Sequence, residues 1–308
     1  GTVLVSAGAA NSAAMSVSGS TSVFFNGEDN SNMGNGWSMT DSLSFTASGD
    51  MDNGWSISTT LEVDGNTMDD RSISIDTGEM GKFTFSGSGT SGPIGAWDDL
   101  TPTANEEAHG TAVSGTADGP VNGASTANSW IYDKDLGDFM EGLAVKAAYT
   151  PSATTTKVES STEYGVSYTS GGLSVNLAMG ENNDQISTGT QGAGKIDNSV
   201  FYVGYAMDNG LSIGYQVNEN DSATANEDED FTAIGVSYVV SDDVSISYNI
   251  SEIDYEASTL EDQEAQGISA SVTNGGMTIS GSYSTVDNTA GSSTADNTGY
   301  ELNIAFAF

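Results

Sequence analysis

The sequence contains no cysteine, which excludes disulfide stapling and thiolate chemistry and leaves the redox compartment unread. Cationic side chains are nearly as scarce. Six Lys and Arg stand against 43 Asp and Glu, a formal charge of -37, so phosphate neutralisation and with it sequence-independent nucleic-acid binding are excluded. An anionic membrane surface is a poor partner for the same reason. The one histidine is His109. Any Ser-His nucleophile pair would have to use it, inside a loop-like stretch with no orienting motif, so an enzyme is not expected. A carboxylate-only hydrolase stays open, although acidic pairs are common throughout. No run approaches the roughly 18 apolar residues of a transmembrane helix.

What is present is glycine and small polar residues. With 38 Gly and only 36% apolar residues, the chain is too polar to fill a globular core of this size. Disorder does not follow, because 12 Tyr, 10 Phe and 4 Trp recur at intervals along it, where a disordered chain would be poor in them. Residues 1–14, GTVLVSAGAANSAA, read as the remnant of a secretory signal with cleavage after Ala13 or Ala14, or as a flexible N-terminus. Residues 15–308 are then a single domain.

From Met15 onward apolar side chains fall on alternate positions. Leu173, Val175, Leu177 and Met179 form one such set; Leu211, Ile213, Tyr215 and Val217 another; Val244, Ile246, Tyr248 and Ile250 a third. The pattern predicts sixteen strands, near 15–25, 37–47, 55–63, 71–76, 82–88, 129–134, 143–150, 163–169, 173–179, 198–206, 211–217, 230–240, 244–250, 266–272, 277–284 and 299–308. Connections after even-numbered strands are short and carry turn chemistry, as in Asp52-Asn53-Gly54, Gly171-Gly172, Asp208-Asn209-Gly210 and Asn274-Gly275-Gly276. Connections after odd-numbered strands are expected to be long, covering about 26–36, 64–70, 89–128, 151–162, 180–197, 218–229, 251–265 and 285–298. Short turns on one side and long loops on the other are the asymmetry of a bacterial outer-membrane β-barrel.

Alternating strands are equally the mark of a soluble sandwich or solenoid. Three features oppose those folds. Pro93, Pro102, Pro120 and Pro151 all fall in long connections, where no ladder donor is required. No repeat period appears. The aromatic residues also sort by height. If the first strand rises from the periplasm, Tyr149, Tyr215, Tyr248 and Tyr283 lie at the upper ends of rising strands, with Tyr300 at the top of the last descending one; Tyr168, Tyr205, Tyr238 and Phe308 lie at the bottoms of descending strands. Two girdles at two membrane interfaces would place them so.

The closing segment Gly299-Tyr300-Glu301-Leu302-Asn303-Ile304-Ala305-Phe306-Ala307-Phe308, alternately apolar with a terminal Phe, resembles the C-terminal strand by which outer-membrane proteins are recognised for assembly. Residues 15–308 as a whole resemble the general diffusion porins of Gram-negative outer membranes, of the alphaproteobacterial, including marine, type. The resemblance implies a 16-stranded antiparallel transmembrane barrel, a homotrimer of water-filled pores in outer-membrane lipid and lipopolysaccharide, and a third loop folded inward. It also implies recognition by the barrel-assembly machinery through Phe308.

The third long connection, residues 89–128, is forty residues against seven to eighteen elsewhere, and a segment of that length calls for a functional reason. It carries Asp98, Asp99, Glu106, Glu107 and Asp118 with no Lys or Arg. These are the candidate constriction, an acidic eyelet that would attract cations by focusing potential; a solvated external flap is the other reading. Ile94 and Trp97 would anchor the loop to the wall or pack within it. Strand parity turns Glu62, Asp76, Lys82, Asp133, Lys146, Glu163 and Glu301 inward. The arginine wall that general porins set against the acidic loop is missing, since Arg71 is the single arginine. Cation preference with a weak transverse field is the expectation.

Gly19, Thr21, Asp41 and Thr59 occupy the outward face of the early strands, and Asp41 against lipid would be costly. A buried protein contact explains it, or else a one-residue bulge turns Asp41 inward. The acidic clusters Glu28-Asp29-Asn30 with Asn32, Glu227-Asp228-Glu229-Asp230, and Glu261-Asp262 with Glu264 match no defined calcium loop, so no cofactor and at most weak calcium binding are expected. Two rivals remain: a structural or adhesive surface protein without conductance, and a substrate-specific channel, which would need inward aromatics that parity does not supply.

Overall fold

A computed structural model describes residues 14–29, 35–110, 113, 123–124, 127–151, 159–183 and 195–308. The strands are β1 Ala14–Glu28, β2 Trp37–Asp50, β3 Ser56–Asp64, β4 Thr67–Asp76, β5 Lys82–Ser88, β6 Ser129–Asp135, β7 Leu143–Thr150 and β8 Ser161–Ser170. They continue with β9 Leu173–Asn182, β10 Ile196–Ala206, β11 Leu211–Ser222, β12 Glu229–Ser241, β13 Val244–Tyr255, β14 Gln263–Asn274, β15 Met277–Asp287 and β16 Asn297–Ala307. Each pairs antiparallel with its sequence neighbours, and β16 pairs with β1, so the sheet closes and no edge remains. Closure answers the requirement that backbone groups crossing a bilayer be paired within the protein. Among the described residues no helix is long and apolar enough to cross a membrane; the strands do the crossing.

Strand parity is kept around the ring. Leu211, Ile213 and Tyr215 on β11 pair with Tyr238, Val236 and Ile234 on β12, all outward, while Gln216 and Asn218 pair with Ala233 and Phe231 inside. The barrel therefore inverts a soluble protein, with the apolar face outside and most inward positions polar.

The seam depends on the last residue. Phe308 and Gly19 exchange both backbone hydrogen bonds, at 2.9 and 3.0 Å. A Cβ on Gly19 would lie 2.9 Å from the Phe308 ring and 2.7 Å from Leu43 Cδ2. Gly19 is thus small because the terminal ring lies across it on the outward face.

Two connections differ from expectation. Residues 64–70 are not a long loop: β3 and β4 are joined by Gly65 and Asn66 alone, with Gly65 at φ 58°. A register shift between Leu61 and Val63 re-phases the ladder there, so Thr67–Asp70 is strand despite its broken alternation. Strands on the loop side also run further than expected. Tyr215 and Tyr248 are mid-strand in β11 and β13 rather than at their upper ends, and the barrel wall continues above the apolar band. At the other terminus Ala14 opens β1, paired with Ser48; residues 1–13 lie outside the described residues.

Candidate pore constriction

The third loop enters the lumen after β5 and lies along one side of it. Its first turn is α1, Pro93–Trp97, with proline at the helix start where no N–H is needed. Ile94 is fully buried against Ala178 and Val200, with Trp97 packed beside them. Of the two readings of Ile94 and Trp97, anchoring to the wall is the one the structure takes. Trp97 stands on Gly165 of β8, where a Cβ would come within 2.2 Å of its ring. Gly235 on β12 likewise leaves room for Thr101, which a Cβ would meet at 2.8 Å.

From there the loop is held strand by strand. Gln216 on β11 donates to the Trp97 carbonyl at 2.7 Å and accepts from the Leu100 N–H at 3.2 Å. Asn218 donates to the Asp98 carbonyl at 2.7 Å. Ser247 on β13 and Ser269 on β14 accept from the N–H groups of Ala104 and Asn105 at 2.9 and 3.1 Å. Asn105 reaches the end of the arc, donating to Ser282 Oγ and to Glu301 Oε1, each at 2.9 Å. His109 packs edge-on to Phe231 at 5.0 Å, with Nε2 3.9 Å from Asp99. Polar side chains inside a barrel thus replace the water that loop backbone would otherwise need.

Glu163 holds both legs of the excursion. Its Oε2 accepts from the Ile94 N–H at 3.1 Å and its Oε1 from the Ala124 N–H at 2.6 Å. Glu163 is 2% exposed: it points inward, as parity places it, and lies under the loop. Sequence parity located it, and nothing in the sequence announced the clamp. Asn105, Gln216 and Asn218 were missed altogether. Their signal was available, since amides at alternate inward positions of one strand are too many for solvation alone.

Of the five loop carboxylates, Asp98 is half-buried and Asp99 and Glu106 are exposed, Glu107 is buried at 9%, and Asp118 lies outside the described residues. Burial is the first cause of raised pKa values here. Asp98 is pushed up to about 6 by burial and then by the Asp99 charge. Glu106 rises to about 7 through burial, Glu301 and Asp99. Glu107 is raised too, by burial and then by Asp99.

The lumenal lysines stand on β5 and β7. Asp76, Lys82, Asp133 and Lys146 form one continuous row across β4–β7, each paired in register with the next. Lys146 Nζ lies 3.2 Å from Asp133 Oδ1. The row lines a cavity of about 430 Å³ beneath Trp97, and its alternating signs cancel. Arg71 adds nothing inside, because it pairs with Leu61 on the outward face and lies against Gly87. Glu62 faces the lumen from β3, accepting from Ser42, and Glu301 from β16.

The model of a family described as Gram-negative porin matches in two overlapping stretches, residues 1–263 and 197–308. No curated protein matches the chain. Among solved structures the barrel is similar to an anion-selective porin from Comamonas acidovorans, with TM-score 0.69 at 15% identity over 96% of this chain and 100% of that one. It is similar to OmpT, an outer membrane protein of Vibrio cholerae, with TM-score 0.68 at 15% identity over 96% and 98%. A variant of the porin of Rh. blastica gives TM-score 0.65 at 14% identity over 96% and 100%. A closed sixteen-stranded barrel, an inward loop and a family match along its whole length lead to one conclusion: the chain belongs to the Gram-negative porin family and forms a channel of the outer membrane.

Proposed function

We propose that the channel prefers cations and passes small hydrophilic solutes by passive diffusion. The observation that carries this reading is the charge census of the lumen. Among the described residues, Asp98, Asp99 and Glu106 on the loop and Glu62 and Glu301 on the wall oppose Lys82 and Lys146 alone, whose row is neutral. Fixed charge of one sign in a narrow aqueous passage raises the local concentration of the other. Fold alone does not decide the sign, since the similar Comamonas acidovorans barrel is described as anion-selective. In planar bilayers with a salt gradient the reversal potential is expected to favour cations, and Asp98→Asn, Asp99→Asn and Glu106→Gln together to bring it toward zero. A reversal potential favouring anions would reject the proposal; absence of any conductance would return the chain to the adhesive reading.

The channel is proposed to be a homotrimer joined through the outward face of β1–β4. Asp41 keeps regular register there, opposite Thr21 between Met39 and Leu43, so no bulge turns it inward. A charge facing lipid near the bilayer centre costs roughly 2–4 kcal/mol for a cationic residue and less for Asp, and a protein neighbour removes that exposure. We expect unheated gels to show an oligomer that Asp41→Leu weakens or re-registers. A monodisperse wild-type monomer is the contrary result. Phe308, 72% exposed, is proposed as the contact for the assembly machinery.

A further inference from the structure

Above the apolar band, the outward face of β9–β15 carries three rows of carboxylates set directly opposite one another. Glu181, Asp197 and Asp221 form the first, Glu219, Asp230 and Asp254 the second, and Glu252, Glu264 and Asp287 the third. Like charges opposed across a ladder destabilise it. The first row is relieved by Lys195, 2.9 Å from Glu181 and 3.2 Å from Asp197. Among the described residues no ion pair relieves the other two, and no Lys, Arg or His follows Lys195 in the sequence.

The third row stands over a groove. Val236, Tyr248, Ile268, Ala270, Gly281 and Tyr283 line an outward, apolar depression of about 670 Å³ on β12–β15. Its floor is low because Gly281 and Ala270 place almost nothing between the larger neighbours. Two residues further up the same strands is a second depression of about 390 Å³, lined by Glu252, Glu264 and Asp287 with Thr232, Gln266 and Thr285. Tyr248 joins the two, its ring in the lower depression and its hydroxyl donating to Gln266 Oε1 at 3.2 Å. Each volume lies within the ordinary range for small-ligand sites, roughly 300–1,000 Å³. Apolar below and acidic above is the shape of an amphiphile standing upright in the outer leaflet.

We propose that this face binds a membrane lipid with a positively charged amine headgroup, its acyl chain in the groove and its ammonium among Glu252, Glu264 and Asp287. Charge complementarity selects the headgroup: three facing carboxylates, with no described cation beside them, attract an ammonium. Metal-bridged phosphate fits less well, because among the described residues no group of three acidic or histidine side chains is placed to hold a metal ion. The site is independent of the pore charge and of the subunit contact, which involve the lumen and β1–β4.

Native mass spectrometry of the intact barrel in non-ionic detergent tests it. The probes are a dialkyl lipid with a trimethylammonium head, the diacylglycerol of the same chains, and the matching phosphatidylglycerol with and without Ca²⁺. The cationic lipid is expected to be retained about tenfold over the neutral one, as three exposed charge contacts would give. Glu252→Gln, Glu264→Gln and Asp287→Asn together should abolish that preference, whereas Asp197→Asn with Asp221→Asn should leave it. Gly281→Leu, which fills the floor, should reduce retention of both lipids. Heat-dependent gel migration establishes that each variant is folded. Equal retention of the cationic lipid by the wild-type barrel and the third-row variant overturns the proposal, and so does retention of phosphatidylglycerol alone in the presence of Ca²⁺.

Discussion

Cation preference is expected to fall as the solution is acidified from about pH 8 to about pH 5, the interval that brackets the raised values of Asp98, about 6, and Glu106, about 7. Above those values both groups are charged and the lumen is at its most negative; below them both are neutral. A unit charge about 10 Å from a permeating ion in water changes its energy by about 0.4 kcal/mol, roughly a factor of two. Each charge favours a cation and disfavours an anion by that factor, so losing both should lower the cation-to-anion permeability ratio roughly sixteenfold at low salt, and less at 1 M, where screening shortens the reach to about 3 Å. Reversal potentials recorded across that pH range check it. An ordinary pair of solvated carboxylates would show no change until well below pH 5.

The same groups link the loop to pH with the opposite sense. A carboxyl whose folded value exceeds its unfolded one contributes stability that is fully present below the unfolded value and is lost as pH rises through the folded value. For Glu106 the window runs from the ordinary glutamate value of 4.5 up to about 7. Mild acid thus seats the loop more firmly while weakening its field.

Removing the Glu163 clamp should have the largest effect on the pore itself. Glu163→Ala leaves the Ile94 and Ala124 N–H groups without their shared acceptor, and a hydrogen bond to a charged group is worth about 1.5–3 kcal/mol. Two such bonds exceed what the single-residue contacts of Gln216 or Asn218 contribute, and they fix the loop at both its legs. The variant barrel still closes, since no ladder bond uses this side chain. Single-channel records are expected to become noisy, with a larger mean conductance. A protease cutting after acidic residues should cleave after Glu107, which is buried beside His109 in the wild-type loop. Glu163→Gln should be intermediate, because its amide can accept at one oxygen only. Unchanged noise and protection in both variants would show that wall packing of Ile94 alone holds the loop.

Strand existence was legible from sequence because a two-sided sheet imposes a period of two wherever lipid meets one face and water the other. Leu173–Met179 and Val244–Ile250 show this without interruption. Parity was lost where a bulge intervened, so Thr67–Asp70 read as loop. The upper ends of β11 and β13 were read too early, because Glu219 and Glu252 end the apolar alternation while the backbone ladder continues to Ser222 and Tyr255. Alternation reports the membrane, and hydrogen bonding reports the strand.

By itself the sequence determined the closed barrel, its sixteen strands, the acidity of its loops and the lack of an arginine wall, since each follows from which residue types occur and at what period. Tertiary structure alone decided which charges meet. Glu163 became a buried clamp, Lys82 and Lys146 were cancelled by Asp76 and Asp133, and Arg71 was turned outward. Pairings between strands distant along the chain depend on register and on the path of one long loop, and neither has a local periodicity from which it can be read.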